Sequence, residues 1–382
     1  MTLPTRPTTC LLVLLALGAI GAVPALAADE KPGADQAHGE QPPSGAPPNI
    51  EYPSLKISGF ADIDFAAQDA SEGPRGFTEG QFVLHLASAL SPRVNFFGEL
   101  SFTPRADAGT GNPPATGFNA EVERAIIRFD QSDKLKVSFG RYHTPINWWN
   151  TAFHHGAWLQ TTISRPEMAQ FGGRFIPVHF VGGLVEGSVP AAGWNLNYQA
   201  GIGNGRGNVI SRGGDAGDNN ARPAYVIDLF SKPDAAFGLQ FGGAAYFDRI
   251  SSPGKPEYSE RILAAHAVWL REDPELIAEI ADVRHEAVAG TLDESNLAYY
   301  VQAAYRLPVL NRVFKPYYRF EHIDVSRADP VFASIPNLDG STVGIRYDVS
   351  TYAAIKTEGR FRQRGSDVDH TNGWFVQICF TF

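Results

Sequence analysis

The sequence predicts an all-β protein, a sixteen-stranded antiparallel transmembrane β-barrel with short periplasmic turns, long outer loops and a third loop that folds inward. Three observations predict it. The last strand alternates apolar and polar residues and ends on Phe382, similar segments recur from Leu55 onward, and the gaps between them alternate in length. No later stretch reaches the roughly 18 apolar residues that a membrane helix needs, so helices do not carry the fold.

The last strand shows the alternation most clearly. One face carries Trp374, Val376, Ile378, Phe380 and Phe382, and the other carries Gly373, Phe375, Gln377, Cys379 and Thr381. Successive side chains of a strand point to opposite faces, so one face can contact lipid while the other faces a wet interior. An aromatic C-terminal strand of this kind also predicts recognition by the barrel-assembly machinery through the strand that ends at Phe382.

Counting alternating segments gives sixteen, an even number as a barrel of this class requires. They are 55–66, 77–90, 93–103, 118–130, 134–142, 177–188, 194–203, 223–232, 237–248, 260–271, 275–286, 296–307, 314–324, 338–349, 352–363 and 371–382. In 118–130, 177–188 and 275–286 the alternation is ambiguous, and a β-bulge is needed to explain it.

The gaps after odd-numbered segments are long, as in 104–117 and 204–222. Those after even-numbered segments are tight turns such as Ser91-Pro92 and Pro233-Asp234, built from residues that favour turns. A soluble β-sandwich has no reason to segregate loop lengths in this way. The pattern therefore favours a barrel with both termini in the periplasm.

The N-terminal region predicts export to the outer membrane of a Gram-negative-type bacterium. Residues 1–27 combine Arg6, a short apolar run and a small-residue cleavage site, as in a signal peptide. Residues 28–54 are rich in Pro and Gly and predict a disordered periplasmic leader, which leaves 55–382 for the barrel. Removal of Cys10 with the signal peptide leaves Cys379 alone, which excludes an internal disulfide.

Many of the side chains that the alternation places on the inner face are charged. Because an unpartnered charge costs several kcal/mol to bury, they predict an aqueous interior. The basic positions lie on strands 13 to 15: Arg319, Arg346, Lys356, Arg360 and Arg362. The acidic positions lie on strands 1 to 3: Asp62, Asp64, Glu79 and Glu99. Two interpretations stay open: a transverse field across the pore that selects dipolar solutes, or solvated charges that pair across strands and add little selectivity.

The third long gap differs from the other gaps because it is far more apolar than an exposed loop. We expect residues 143–175 to fold against the inner wall and narrow the pore. The candidate constriction residues are Trp148, Trp149, His154, His155, Trp158, Arg165 and Glu167. Adjacent histidines in an extended segment point apart and no further ligand has a suitable spacing, so we expect no metal site.

These features resemble the sixteen-strand porin superfamily, and within it the phosphate-selective porin O and P type. The resemblance rests on the leader-plus-barrel layout, the Phe139-Gly140-Arg141-Tyr142-His143-Thr144-Pro145 start of the third loop, its continuation to Arg165-Pro166-Glu167, and Phe382. It implies a third loop that forms the constriction and a homotrimeric assembly. The resemblance supports selectivity for phosphate less well, because the chain has only eight Lys and a net charge of −9.

The expected function is passive diffusion of small hydrophilic solutes or ions, including anions such as phosphate, through a barrel surrounded by outer-membrane lipid. The alternatives are a closed structural or adhesion barrel and an outer-membrane hydrolase. We expect no enzyme, because the chain has no Gly-x-Ser-x-Gly elbow and His322 has no evident Ser partner. No cofactor and no nucleic-acid partner are expected. The Gly-rich stretch 201–207 opens no helix, and we interpret it as an outer loop.

Overall fold

The computed structural model describes residues 51–69, 75–111, 114–153, 155–170, 174–206, 210, 214–252, 254–365 and 369–382, with Asp369 and His370 described for their backbone only. The predicted signal peptide and residues 28–50 of the predicted leader lie outside this set, as does His154.

Sixteen strands form one closed antiparallel barrel, in which each strand pairs with its sequence neighbours and β1 pairs with β16, so the predicted fold is confirmed. The strands are β1 (Lys56–Gln68), β2 (Gly76–Ser91), β3 (Val94–Pro104), β4 (Phe118–Ser132), β5 (Leu135–His143), β6 (His179–Val189), β7 (Leu196–Asn204), β8 (Ala224–Ser231), β9 (Leu239–Ile250), β10 (Tyr258–Leu270), β11 (Glu275–Ala287), β12 (Asp293–Ala304), β13 (Phe314–Asp324), β14 (Leu338–Asp348), β15 (Ala353–Arg364) and β16 (Asp369–Thr381).

Helical structure is limited to short segments. The described residues include one α-helix, α1 (Trp148–Ala152), and 3-10 turns at Glu167–Ala169, Ala191–Gly193, Asp234–Ala236 and Leu310–Arg312. In the part of the chain that the structure describes, no helix has both the length and the apolar character to cross a membrane.

The two faces of each strand differ as the alternation predicts. Ile57, Leu229 and Trp374 are 59%, 55% and 53% exposed on the outer face, whereas lumen-facing Tyr246 and Ile262 are 1% and 0% exposed. Large apolar side chains on the outer surface suit a lipid environment and would be a poor choice against water.

The C-terminus closes the barrel. Asp62 of β1 lies opposite Cys379 of β16, and the Gly59 amide donates to the Phe382 carbonyl oxygen over 2.9 Å. The Phe382 ring stacks on Phe82 with 5.7 Å between centroids. The terminal aromatic residue thus covers the seam where the first and last strands meet.

Among the register shifts of the described strands, one in β2 and one near the middle of β4 change the inward assignment of predicted residues. In β2 an extra residue lies opposite Asp62, at Gly80 and Gln81, and Glu79 pairs with Ile63 on the outer face. Glu79 is exposed there, so the expectation that it lines the lumen is wrong. A Cβ on Gly80 would lie 1.6 Å from Asp62 Oδ2, so any other residue at the bulge would have to displace the Asp62 carboxylate.

The second bulge, in β4, leaves Glu123 unpaired between Val122 and Arg124 in the β3–β4 register. It turns both Glu123 and Arg124 toward the interior and explains the ambiguous alternation of 118–130. Strands β6 and β11 pair with their neighbours without a register shift, so the bulges expected there are absent.

Loop lengths alternate less strictly than the sequence suggests. The connections 144–178 and 205–223 are long and 92–93 and 133–134 are tight. The connection 288–292, however, is shorter than 305–313 on the opposite end of the barrel. Strands β11 and β12 continue into the predicted loop, because alternating residues extend through Ala287 and from Asp293.

Candidate functional site

The third loop, residues 144–178, crosses the barrel interior. Its two ends are held together by the Thr144 amide, which donates to Val178 O over 2.8 Å, and by Asn150 Nδ2, which donates to both Thr144 O over 2.8 Å and Val178 O over 3.2 Å. Asn150 is fully buried, so these bonds satisfy backbone groups that water cannot reach. They fix the angle at which the loop leaves β5 and returns to β6.

One side of the loop packs on an apolar seat formed by lumen-facing residues of β8–β11. The seat comprises Val226, Tyr246, Ile262, Ile277 and Val283, all at most 3% exposed. Trp149 of the loop belongs to the same buried cluster, and its ring meets Tyr300 edge-on at 6.0 Å. The Trp149 amide donates to Glu279 Oε1 over 2.7 Å. The third loop therefore covers this part of the inner wall and buries it.

The other side of the loop is held by a basic clamp, which we define as Arg319, Arg346 and Lys356. Arg319 donates to Ser164 O over 2.9 Å and to Ser164 Oγ over 2.6 Å. Arg346 donates to Trp158 O over 2.7 Å, and Lys356 donates to Thr162 O over 3.1 Å and also to Ala157 O. The clamp therefore binds backbone carbonyl oxygens of the third loop, and these partners replace the water that the cations lose.

Carboxylates complete the attachment from the same strands. Glu358 accepts from the Ile163 and Ser164 amides over 2.9 and 3.1 Å, and Glu321 accepts from the Glu167 amide over 2.7 Å. Glu167 itself pairs with Arg362 at 3.0 Å. Burial opposes the ionisation of Glu167, but Arg362 and Arg364 outweigh it and lower the pKa of this carboxyl.

The remaining predicted residues take other positions. Trp158 is half-buried beneath Arg346, with 4.9 Å from the guanidinium carbon to the ring centroid. Arg360 pairs with Glu358 at 2.5 Å and covers the Phe375 ring. The Asp62 carboxylate accepts from the backbone amide of Gln81, and the Asp64 carboxylate accepts from Gln377 Nε2. Both carboxylates therefore have partners on neighbouring strands of the barrel.

Lumen-facing charged and polar side chains with partial exposure concentrate on β16 and β1–β7, a region we call the open wall, with Arg360 of β15 at its edge. They include His85, Asn95, Arg124, Arg128, Asp130, Lys136, Glu186 and Gln199. Arg128 bridges Asp130 at 2.7 Å and Glu186 at 3.3 Å. The carboxylate of the buried Glu99 lies 2.9 Å from His85 Nε2 and 2.6 Å from Arg124 Nε.

On the side of the barrel opposite the open wall, the connection 325–337 packs over the rim. Its Phe332 is fully buried against Phe175 of the third loop, with 5.3 Å between ring centroids. Its Asp329 accepts from His285 Nδ1 over 2.6 Å, and the other nitrogen of His285 lies 3.0 Å from Glu260. Together with the apolar seat and the basic clamp, this contact makes β8–β14 and the Lys356 position of β15 a sealed wall.

Sequence reasoning missed the residues that surround His155. Glu123 escaped because the β4 bulge reverses the alternation on which the inward assignment depended. His143 and His179 are far apart in the chain but directly paired in the β5–β6 ladder. One signal was available in the sequence. His143 and His179 lie at the two ends of one long loop, and the strands on either side of a loop are neighbours in such a barrel, so the two histidines could have been predicted to lie close together.

No protein-family model matches the chain, and no curated protein sequence matches it. Solved structures do match. The anion-selective porin from Comamonas acidovorans superposes with a TM-score of 0.60 at 12% identity, over 86% of this chain and all of that one. The outer-membrane channel DcaP of Acinetobacter baumannii gives 0.59 at 11% identity, over 87% and 98%. Salmonella typhi OmpF in complex with daunomycin gives 0.57 at 12% identity, over 86% and 97%. At such identities these matches establish a shared fold.

Proposed function

We propose that this protein is a passive diffusion channel of the outer membrane of a Gram-negative-type bacterium, for small hydrophilic solutes. The observation that carries the proposal is the open wall, where charged lumen-facing side chains keep contact with water beside a third loop fixed to the opposite wall. Solutes would pass between the third loop and the open wall, driven by their own gradient.

The charges along this path are mixed. Arg124, Arg128 and Arg360 keep side-chain exposures of 14%, 18% and 19%, and Asp130 and Glu186 keep 22% and 24%. A phosphate filter needs several cations free to replace the anion's hydration. Three of the five predicted cations form the basic clamp and are engaged by the third loop, so we propose weak selectivity and no phosphate specificity.

The assembly belongs to the proposal as well. We propose a homotrimer with the lipid-facing apolar belt on its outer surface, inserted by the barrel-assembly machinery through the strand that ends at Phe382. Support comes from the porin fold of the solved structures above and from one further match, the trimer form of OmpT of Vibrio cholerae, which superposes with a TM-score of 0.55 at 11% identity over 87% of this chain and all of that one.

A plugged structural barrel is the second candidate, and the buried apolar seat beneath the third loop favours it. The two differ in conductance. The refolded full-length protein in a planar bilayer under a KCl gradient is expected to give stable single-channel currents, a small reversal potential and no block by phosphate. Currents that phosphate blocks would restore the phosphate-selective interpretation. A sealed bilayer would favour the plugged barrel over the channel.

A further inference from the structure

A histidine cluster lies in the barrel wall where two neighbouring strands separate. The β4–β5 ladder ends at the Ala125–Arg141 pair, although β4 begins seven residues earlier, at Phe118. Glu123 of β4, His143 of β5 and His179 of β6 border the resulting gap, and His155 of the third loop fills it. These four residues, the histidine cluster, come from three strands and one loop.

The geometry of the cluster is that of a ligand set. One nitrogen or oxygen atom from each residue lies within 4.8 Å of those of the other three. His179 Nε2 and His155 Nε2 lie 2.9 and 3.1 Å from the same carboxylate atom, Glu123 Oε2. The ring centroids of His155 and His179 lie 6.0 and 5.6 Å from that of His143. Two imidazoles therefore contact one carboxylate, and the third, that of His143, lies beside them with its Nε2 3.5 Å from Glu99 Oε2.

Burial favours a bound ion over a solvated cluster. The side chains of Glu123, His155 and His143 are 2%, 2% and 3% exposed, whereas His179 is 15% exposed and gives access from one side. Buried imidazole and carboxylate ligands with one accessible edge are typical of protein metal sites.

We propose that the histidine cluster binds one divalent transition-metal ion, with Zn²⁺ as the reference ion. Imidazole nitrogen with a single carboxylate suits Zn²⁺, Ni²⁺ and Cu²⁺ better than Ca²⁺ or Mg²⁺, which prefer oxygen. A tetrahedral Zn²⁺ with ligands at about 2.0–2.1 Å holds them about 3.4 Å apart. The spacings of 2.9 and 3.1 Å from Glu123 Oε2 are already shorter than this, and the widest spacing in the cluster, at most 4.8 Å, has to close by up to about 1.4 Å.

The surrounding groups compete for the Glu123 carboxylate. Arg141 Nη1 lies 3.5 Å from Glu123 Oε2, although Arg141 also pairs with Asp215 at 2.8 Å. Ser101 Oγ donates to Glu123 Oε1 over 2.7 Å. Burial lowers the pKa of Arg165 to about 9, with the Glu123 carboxylate opposing the shift. An incoming metal ion has to displace Arg141 from Glu123 Oε2.

Groups behind the ligands have to rearrange before the ring nitrogens that face Glu123 can bind a metal ion. Gln81 Nε2 lies 3.1 Å from His155 Nδ1, and rotation of that amide lets its oxygen accept a proton from Nδ1, so that Nε2 faces the metal. Arg141 Nη2 lies 3.0 Å from His179 Nδ1 and must give up this contact for Nδ1 to carry a proton. Arg141 keeps its bonds to Asp215 and to the Val122 carbonyl oxygen.

A metal ion bound to these residues would cross-link the third loop to the barrel wall, and we call this cross-link the staple. Three ligands belong to wall strands, and His155 alone belongs to the third loop. A bound metal would tie the loop to the open wall, in addition to its attachment to the sealed wall. This site does not depend on whether the barrel conducts solutes, so it is tested separately from the channel.

The test is metal binding to the refolded full-length protein. After dialysis against Zn²⁺ we expect one ion per chain by elemental analysis, and with Co²⁺ the visible absorption of a four-coordinate site. Glu123→Gln and His179→Ala should each weaken binding at least about tenfold. His322→Ala is the matched control, because His322 is on the outer face of β13 and bonds Asp339. Heat-modifiable migration on gels shows whether each variant is folded.

A second readout isolates the staple. Zn²⁺ should slow amide hydrogen exchange of residues 155–162 in the wild-type protein and leave it unchanged in His155→Ala. The proposal is overturned if the folded wild-type protein binds no Zn²⁺, or if Glu123→Gln and His179→Ala bind as the control does. Binding that leaves exchange of the third loop unchanged would disprove the staple.

Discussion

The sealed wall and the open wall of the barrel interior carry similar kinds of residue but use them differently. On the sealed wall Arg319 and Lys356 are fully buried and bind carbonyl oxygens of the third loop. On the open wall Arg124 and Arg128 bind carboxylates and keep partial contact with water. A lumen-facing charge therefore does not identify a channel lining. Its partner decides whether it fixes a loop or meets a solute.

The distinction has an energetic basis. A buried cation with complete hydrogen bonding is tolerated, but removal of one member of such a set leaves the others without partners and is costly. A half-exposed ion pair contributes about 0–1 kcal/mol, because water replaces a lost partner. We expect variants of the sealed wall to change stability and variants of the open wall to change selectivity.

Arg319→Ala should have the largest effect. It leaves the Ser164 and Arg165 carbonyl oxygens without this donor and removes the guanidinium 3.7 Å from Glu321, and we expect a loss of about 4 kcal/mol in the free energy of unfolding. The detached loop should also raise single-channel conductance. Denaturant unfolding and planar-bilayer recordings measure the two effects.

Arg312→Ala is the matched control for that experiment. Arg312 lies on the exposed 3-10 turn Leu310–Arg312 and pairs with Asp273 at half exposure, so its removal should leave both quantities nearly unchanged. Equal stability losses in the two variants would contradict the idea that Arg319 holds the third loop.

Trp149→Ala tests the apolar side of the same attachment. The indole is fully buried and packs against Tyr300 and Phe153. Its loss should cost about 3 kcal/mol, the lower end for a large aromatic residue, because a loop relaxes around a cavity more readily than a strand does. Near-ultraviolet circular dichroism on heating gives the transition. A variant as stable as wild type would show that the apolar seat does not hold the loop.

The double variant Arg128→Gln with Arg360→Gln should change the ion selectivity of the channel and leave its stability nearly unchanged. A unit charge at about 4 Å in water is worth about 1 kcal/mol. Salt screening at experimental ionic strength reduces this, and we expect the chloride-to-potassium permeability ratio to fall roughly twofold. The reversal potential under a KCl gradient measures it. Lys356→Gln, on the sealed wall, serves as the contrast and should lower stability without this shift. The opposite outcome would exchange the roles of the two walls.

The sequence predicted the barrel because alternation is a local property that each strand repeats. Strand number, closure and the inward third loop followed from segments of ten or so residues and from loop composition. The outward-facing apolar set followed from the same parity, as Ile57 and Trp374 illustrate.

The sequence could not predict the partners of the inward charges. Arg319 and Ser164 are 155 residues apart, and no local pattern links a guanidinium to the carbonyl oxygen that it binds. Single-residue bulges were decisive as well. One extra residue in β2 moved Glu79 to the outer face, and one in β4 brought Glu123 to the histidines. Parity counting fails at such points, because every residue beyond a bulge changes face.

Acidification should give the smallest and most local change, at the rim of the sealed wall. Burial opposes the ionisation of Asp329, but hydrogen bonds from His285 and Asn296 outweigh it and lower the pKa of this carboxyl. A depressed pKa means that Asp329 contributes stability above the unfolded value of about 3.9, and that this stability is lost as pH falls through the folded value. We expect hydrogen exchange of residues 325–337 to rise below roughly pH 4 while the barrel strands stay protected. In Asp329→Asn, exchange of this connection should be raised already at neutral pH and show no acid step. An acid step that persists in this variant would place the sensitive group elsewhere on the rim.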